Sequence, residues 1–376
     1  MMDFDRRPIL VFWETTRACL LACRHCRAEA QEEPLPGELT HAEGLALIDS
    51  LEGFGERPPV LIMTGGDVLM RADVFELVGH TGSLGIPVGL SPSVTPRLTP
   101  EAIRAMWSHG VRSASVSLDG ATASTHDGIR GVDGHFERTV EVLDLMRDEG
   151  LSIQVNTTVI RDNVEELADV AVLLRQLGVP TWEVFFLVKV GRGVDVDELT
   201  PAENEDVCHL LFDASQYGLA VRTVEGPFFR RVAVWRRDLE PAVDPAERFG
   251  LSPLYSRLAG RLRERLGEPE PVSHAQTAGT RDGKGIVFVS HDGDVYPAGF
   301  MPLRLGNVKE RSVVDIYRDD PTLRAIRAAR FTGRCGECEF RDVCGGSRAR
   351  AWATFGDPLA EDSACIYRPA RADARS

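Results

Sequence analysis

The stretch TTRACLLACRHCRAEA, residues 15–30, holds three of the eight cysteines of the 376-residue chain. Cys19, Cys23 and Cys26 have C-x3-C-x2-C spacing and directly follow an apolar segment, ILVFW. A loop of this length can wrap three thiolates around an iron–sulfur cluster, for which four ligands are the usual complement. Three ligands leave one iron open to a substrate or cosubstrate. The alternative is a zinc site with His25 as an additional ligand, although structural zinc prefers four protein ligands.

Composition restricts the class of protein around this loop. The chain is 43% hydrophobic and 27% charged, as in an ordinary soluble protein, and its net charge is −14. An acidic balance argues against a nucleic-acid partner. No apolar run approaches the ~20 residues of a membrane span, and the N-terminus lacks a signal core. We therefore expect a cytoplasmic protein with no membrane partner, in which clustered cysteines bind metal instead of forming disulfides.

Apolar strands alternate with amphipathic helices from residue 9 to residue 216. The predicted strands are 9–13, 59–64, 86–91, 112–118, 152–159 and 182–189. The predicted helices are 41–53, 72–84, 100–109, 135–149, 163–177 and 201–216. Thr40 with Glu43 has capping-box spacing, and Thr99 and Thr200 each precede a proline, which is typical of a helix start. These units predict an α/β fold, a partial (β/α)6 TIM-like barrel, with ligands at the C-terminal ends of its strands.

The C-terminal part predicts a small cysteine-rich domain. We divide the chain into a barrel at 1–223, a partly helical connector at 224–283 and a C-terminal domain at 284–376. That domain begins with a hairpin around His291–Asp294, followed by a helix at about 312–329. It contains a second set of cysteines with C-x2-C-x5-C-x20-C spacing: Cys335, Cys338, Cys344 and Cys365. This spacing suits either an iron–sulfur cluster or a zinc ribbon.

The first cysteine loop resembles that of the radical S-adenosylmethionine (SAM) enzymes. The resemblance implies that Cys19, Cys23 and Cys26 hold a 4Fe–4S cluster whose fourth iron binds SAM, and that SAM is cleaved to a 5′-deoxyadenosyl radical. His25 stands where the family has an aromatic residue near the adenine. The family has Gly-Gly-Glu-Pro at the methionine amino group, and this chain has Gly65-Gly66-Asp67-Val68 there. Asp67 and Val68 therefore depart from the pattern.

The same resemblance implies further SAM contacts at the ends of later strands. Ser91 and Ser93 would lie near the ribose, and the SLDG segment after the fourth strand offers Ser117 and Asp119 as further contacts. Arg130 would reach the carboxylate and Asn156 the adenosine. Ordinary loop polarity is the alternative for each of them. The segment VKVGRG, residues 188–193, is expected either to cradle an anionic ligand or to form a glycine-rich turn.

The second cysteine set resembles the twitch or SPASM-type extensions of radical SAM enzymes. Full SPASM domains hold two auxiliary clusters, but Ala298 and Ser347 stand at places where those domains commonly have cysteine. The resemblance therefore implies one auxiliary 4Fe–4S cluster with four protein ligands, suited to electron transfer. The cofactors expected for the whole chain are two 4Fe–4S clusters and SAM.

The resemblance implies a radical SAM oxidoreductase with a small-molecule substrate and a flavodoxin- or ferredoxin-type reductant. Because the net charge is acidic, we expect a cationic sugar: dehydrogenation or epimerisation of an aminocyclitol in natural-product biosynthesis. Cys208 is then a candidate hydrogen donor, or else a buried core residue. The alternatives are oxidative decarboxylation of tetrapyrrole propionates, as in heme-synthase-type and heme d1-type enzymes, modification of a ribosomal peptide, and a non-enzymatic iron–sulfur or zinc protein.

Overall fold

The computed structural model describes residues 3–240, 243–277 and 279–369. Its centre is a sheet in which strands β1 to β7 are parallel and lie side by side in chain order. Their bounds are β1 Leu10–Glu14, β2 Val60–Thr64, β3 Val88–Leu90, β4 Ser113–Ser117, β5 Ser152–Val159, β6 Thr181–Phe186 and β7 Ala220–Val224. The predicted α/β fold is confirmed. The sequence prediction missed β7, because Arg222 and Thr223 interrupt its short apolar pattern.

Helices follow the strands at the positions where the capping signals placed them. Their bounds are α1 His41–Ser50, α2 Val74–Ser83, α3 Pro100–Ser108, α4 Ala123–Arg130, α5 His135–Asp148, α6 Leu167–Gln176 and α7 Pro201–Ala214. Thr40 and Glu43 form the capping box, as do Thr200 and Glu203 at the start of α7. The prediction missed α4, whose sequence ASTHDGIR is mostly polar; its few apolar contacts are made by Ile129.

The segment after β7 is largely helical. It contains α8 Phe229–Arg237, α9 Pro245–Phe249 and α10 Pro253–Leu266. Helix α10 packs against α6 and α7, and α8 packs against α7. The segment therefore lies on the outer face of the last barrel unit. The three-domain division of the chain stays a prediction.

The C-terminal strands extend the same sheet beyond β1. These strands are β8 Arg281–Asp282, β9 Gly285–Val289, β10 Asp294–Tyr296 and β11 Gly306–Asn307. Strand β9 pairs in parallel with β1, with Leu10 opposite Ile286, and then pairs with β10 in the predicted hairpin. The C-terminal segment is thus joined to the strand that precedes the cysteine loop.

The remaining helices are α11 Val313–Asp319, α12 Pro321–Arg327, α13 Gly333–Glu337 and α14 Arg348–Phe355. The single helix predicted at about 312–329 is divided in two at Asp320. Asp320 has an extended backbone, because the proline that follows it disfavours helical geometry in the preceding residue. Its side chain caps α12. Among the described residues, no helix combines the length and the apolar character needed to cross a bilayer.

Candidate active site

A cavity of about 670 Å³ opens at the C-terminal ends of the parallel strands. The three cysteines of the first loop line it. Eight of the predicted SAM-binding residues also line it: His25, Gly65, Gly66, Ser91, Ser93, Ser117, Arg130 and Asn156. Gly346 and Ser347, from the second cysteine region, and Arg281 of β8 line the same cavity. The fold therefore brings the SAM candidates and the C-terminal segment to one space.

Gly65 and Gly66 pack against the backbone of the cysteine loop. A Cβ on Gly65 would lie 2.7 Å from the carbonyl oxygen of Thr16, and one on Gly66 would lie 2.5 Å from that of Ala18. The amide of Gly66 donates to Thr16 O at 2.8 Å. Only glycine fits at these two positions, because the two backbones approach so closely. This contact holds one side of the cysteine loop, and both glycines also line the cavity.

Gly191 and Arg192 hold the opposite side of the loop. Gly191 has a positive φ of 55°, and its missing Cβ would lie 2.6 Å from Cys26 O. Arg192 donates from its amide to Cys26 O and from Nε to Cys23 O, both at 3.0 Å. The VKVGRG segment therefore clamps the cysteine loop, a role that sequence reasoning did not assign to it.

Two thiols of the first loop, Cys19 and Cys23, are buried beside hydrogen-bond donors, and Cys26 is partly exposed. The amide of Leu21 donates to Cys19 Sγ at 3.4 Å, and the Arg130 guanidinium donates to Cys23 Sγ at 3.5 Å. Burial raises the pKa of Cys19 to about 11. A buried thiolate is stabilised by positive charge, which a metal or a neighbouring arginine supplies, and donors to sulfur are features of iron–sulfur sites. The donor set therefore fits a cluster.

Arg130 and His25 are held by Asp119, a fully buried residue at the end of β4. Asp119 Oδ2 lies 2.5 Å from Arg130 NH2 and 3.5 Å from His25 Nε2. Burial, partly opposed by Asp119, lowers the pKa of His25 to about 4, which keeps the ring neutral. A neutral imidazole beside the cavity suits an adenine neighbour. Asp119 is therefore a positioning residue, whereas the SLDG segment offered it as a SAM contact or as part of a turn.

Asp67 does not face the cavity, contrary to the expected contact with the methionine amino group. The residue is fully buried. Its Oδ1 accepts from the amides of Leu69 and Ser93, and its Oδ2 accepts from Thr95 Oγ1 at 2.7 Å. The shorter side chain therefore fixes the loop after β3, and Ser93 Oγ in turn donates to Gly66 O at 2.8 Å.

Ser91 and Asn156 line the cavity, and each makes a side-chain hydrogen bond with a neighbouring residue. Ser91 Oγ lies 2.7 Å from Ser115 Oγ, and Asn156 Oδ1 accepts from Gln154 Nε2 at 2.7 Å. The Asn156 amide nitrogen thus stays available as a donor. Gln154 was not predicted; it shares the cavity face of β5 with Asn156 because the two are separated by one strand period.

Cysteines 335, 338 and 344 of the second set each accept a backbone amide at sulfur. The donors are Asp362 to Cys335 at 3.4 Å, Phe340 to Cys338 at 3.4 Å and Gly346 to Cys344 at 3.5 Å. Arg348 NH2 also lies 3.7 Å from Cys335 Sγ. Burial raises the pKa of Cys344 to about 11 and that of Cys365 to about 12. These surroundings, like those of the first loop, fit thiolates that bind a cluster.

Cys208 lies outside the cavity. It is fully buried in the middle of α7 and belongs to the hydrophobic core. A hydrogen donor must reach the substrate radical, and a side chain enclosed by core residues cannot do so. The structure therefore corrects the proposed donor role and supports the core alternative.

Comparisons with known proteins identify the class. Residues 13–174 match the family described as the radical SAM superfamily, and residues 281–339 match the SPASM family, an iron–sulfur cluster-binding domain. The chain belongs to the radical SAM superfamily and carries a SPASM domain. It is therefore a radical SAM enzyme that uses SAM and 4Fe–4S clusters, which excludes the non-enzymatic alternatives.

Within this superfamily, the chain is similar to heme synthases over nearly its whole length. It is 37% identical to the AdoMet-dependent heme synthase of Nitratidesulfovibrio vulgaris, covering 96% of this chain and 93% of that protein. It is 35% identical to the AdoMet-dependent heme synthase of Methanosarcina barkeri, over 99% of this chain and 100% of that protein. Streptococcus suis SuiB bound to S-adenosylmethionine has the same fold, with a TM-score of 0.70, 15% identity, and coverage of 96% of this chain and 78% of that one.

Proposed function

We propose that the protein catalyses the SAM-dependent oxidative decarboxylation of propionate side chains on a tetrapyrrole. The observation that carries the proposal is the charge of the cavity wall. Five arginines line it, from the cysteine loop, α4, β7, α8 and β8: Arg27, Arg130, Arg222, Arg230 and Arg281. Such a wall suits a polycarboxylate.

The acidic side chains of the wall reduce this positive charge only in part. Three carboxylates, Glu183, Glu225 and Asp282, line the wall against five arginines, and burial raises the pKa of each above its ordinary value. The net charge of −14 made a cationic sugar the expected substrate. That figure sums over the whole chain, whereas five arginines and three carboxylates line the wall that a substrate would touch.

Aromatic side chains give the cavity surfaces for a flat macrocycle. Phe288 and Phe300 line it from the hairpin region, and Phe185 lines it from β6. The ring centroids of Phe185 and Phe300 are 6.0 Å apart. Phenyl faces beside arginines match a molecule with a flat apolar centre and carboxylates at its edge.

The similarity to AdoMet-dependent heme synthases supports the tetrapyrrole over the aminocyclitol substrate. When bound, SAM and the first cluster supply the 5′-deoxyadenosyl radical that takes a hydrogen atom from the propionate. The bond to the carboxylate then breaks, carbon dioxide and one electron leave, and a vinyl group remains. The four C-terminal cysteines would hold the electron acceptor, and a flavodoxin- or ferredoxin-type protein would supply the electron that starts SAM cleavage.

The test is the release of 5′-deoxyadenosine by the anaerobically reconstituted, reduced protein with two substrates offered separately. Iron coproporphyrin III should stimulate release, and mass spectrometry should detect vinyl-bearing porphyrin products. Aminocyclitol sugars should leave release at its background rate. Stimulation by a sugar without stimulation by the porphyrin would overturn the proposal.

A further inference from the structure

Arg27 is the residue that follows Cys26, and its side chain enters the cavity. Its guanidinium lies over the ring of Phe288, 4.6 Å from the centroid, and 5.9 Å from the centroid of Phe300. Gly299 allows this position, because a Cβ there would lie 3.1 Å from Arg27 Nε. The hairpin region thus fixes the direction of a cation beside the cysteine loop.

One edge of this guanidinium is paired and the rest is available. Arg27 NH1 lies 3.2 Å from Glu14 Oε1, at the end of β1. The pKa of Glu14 lies below its ordinary value. Burial acts to raise it, but the positive charge of Arg27 and a hydrogen bond with His291 outweigh burial. Glu14 therefore stays ionised and orients NH1. Beyond this ion pair, the Arg27 side chain has no hydrogen bond to the described part of the chain, and 20% of it is accessible.

The other arginines near the cysteine loop are already engaged. Arg130 pairs with Asp119 at 2.5 Å, and Arg222 pairs with Glu183 at 2.9 Å. Arg230 of α8 donates to the carbonyl oxygens of Val343 and Thr280. Arg281 of β8 donates to those of Arg341 and Cys344, at 2.9 and 3.2 Å. Arg27 thus combines a free guanidinium edge with a position next to a cysteine of the first cluster.

We propose that Arg27 binds the carboxylate of the propionate to be oxidised and so holds that side chain beside the cysteine loop. The inference rests on the proposed function and assigns the group that selects which substituent reacts. A guanidinium forms paired hydrogen bonds with a carboxylate, and this geometry fixes orientation as well as position. Bonds of this kind to a charged group are worth a factor of about ten to one hundred in affinity.

The test compares Arg27→Gln with the parent protein by optical titration of iron coproporphyrin III and of its fully esterified form. The cluster-loaded parent should bind the acid more tightly than the ester. In Arg27→Gln, affinity for the acid should fall about tenfold or more, while affinity for the ester changes little. Arg27→Lys keeps a charge without the paired geometry and should recover part of the affinity; it also serves if the Gln variant loads its cluster poorly.

Arg24→Gln is the matched control. Arg24 lies in the same cysteine loop, but its side chain is 51% exposed and pairs with Asp162. This variant should bind both porphyrins as the parent does. Iron and sulfide content, and background SAM cleavage without substrate, should be equal in Arg24→Gln and the parent, and affinities are compared per loaded cluster.

Two outcomes would contradict these proposals, and the titrations distinguish them. If Arg27→Gln prefers the acid over the ester as strongly as the parent, the role of Arg27 is wrong and the proposed function stands. If the parent itself binds the ester as tightly as the acid, carboxylate recognition fails and the proposed function fails with it.

Discussion

At the scale of single residues, several glycines of this protein are spacers between backbones that carry cysteines. A Cβ on Gly66 would meet carbonyl oxygens of the loop at 2.5 and 2.7 Å, and neither is the end of a flexible side chain that can move away. A Cβ on Gly346 would lie 2.5 Å from Arg348 NH2 and 3.0 Å from Cys335 Sγ. Both cysteine sites thus depend on positions without side chains.

Gly66→Ala is expected to displace the first cysteine loop. Because the added methyl group would meet backbone, the loop must move, and the variant should lose iron and SAM cleavage. Iron analysis and 5′-deoxyadenosine release measure the effect. The control is Gly79→Ala in α2, where a Cβ meets nothing within 4 Å and where alanine favours the helix by about 1 kcal/mol. Equal iron content in the two variants would contradict the role of Gly66.

Gly346→Ala is expected to impair the second site while leaving the first intact. The position has a φ of +65° and lies against Cys335, so the substitution adds both backbone strain and a contact with the cysteine site. Gly356→Ala, at φ +69° with open space around it, introduces the strain alone, about 1 kcal/mol. Only Gly346→Ala should lower iron content, with background SAM cleavage retained; the same iron loss in both variants would show that strain alone is responsible.

At the scale of secondary structure elements, α7 and α8 are joined by a buried ion pair. Both terminal nitrogens of Arg231 bind the Glu205 carboxylate, at 2.7 and 2.6 Å. Burial raises the pKa of Glu205, but the hydrogen bonds with Arg231 and His209 outweigh it and lower the pKa to about 2. Arg231 also lies 4.4 Å from the ring centroid of Trp235, one helical turn along α8.

Glu205→Gln should destabilise the protein by about 3–5 kcal/mol, because it leaves the buried Arg231 charge without a partner. Glu165→Gln is the control, since Glu165 pairs with Arg257 at a site where both side chains are 54% exposed, and it should cost at most about 1 kcal/mol. Denaturant unfolding of the apo-proteins measures both. Similar losses would show that the buried pair does not join the helices.

The same pair predicts a pH dependence. Because the folded-state pKa of Glu205 lies below that of an unfolded glutamate, its stabilisation is complete above about pH 4.5. It declines as the pH falls toward the folded value of about 2. The stability difference between the parent and Glu205→Gln should therefore shrink over this range. A difference that stays constant would place the pKa of Glu205 elsewhere.

At the scale of the whole molecule, one cavity connects the two cysteine regions. Cys19 and Cys26 line it on one side, and Gly346 and Ser347, which directly precede α14, line it on another. Ser347 donates to Glu225 Oε2 at 2.5 Å, and Glu225 lines the cavity too. A substrate in the cavity would therefore lie between the first cysteine loop and the segment that carries the second cysteine set.

Cys335→Ala separates these two functions. The variant should retain background SAM cleavage, since Cys335 is in the C-terminal set, but should lose net oxidation of the substrate. Quantifying 5′-deoxyadenosine and oxidised porphyrin in the same reaction gives the ratio, which should rise well above that of the parent. An unchanged ratio would overturn electron acceptance by the C-terminal site, and Cys19→Ala, which should abolish cleavage altogether, is the reference.

The sequence by itself determined the order of the barrel elements and the grouping of the cysteines. Strand patterns, capping residues such as Thr40 and Thr200, and cysteine spacing act over short stretches of chain, so they can be recognised without knowing the fold. The same local signals failed at β7, which is short and polar, and at α4, which buries few apolar side chains.

Only the tertiary structure decided what several of the candidate residues contact. It moved Asp67 from the cavity to the loop after β3, enclosed Cys208 in the core, and placed Gly191 and Arg192 against the cysteine loop. It also gathered arginines from distant segments into the wall of one cavity, within a chain whose net charge is negative. The physical reason is that burial, pairing and local charge depend on neighbours brought together by folding, and composition averages over those neighbours.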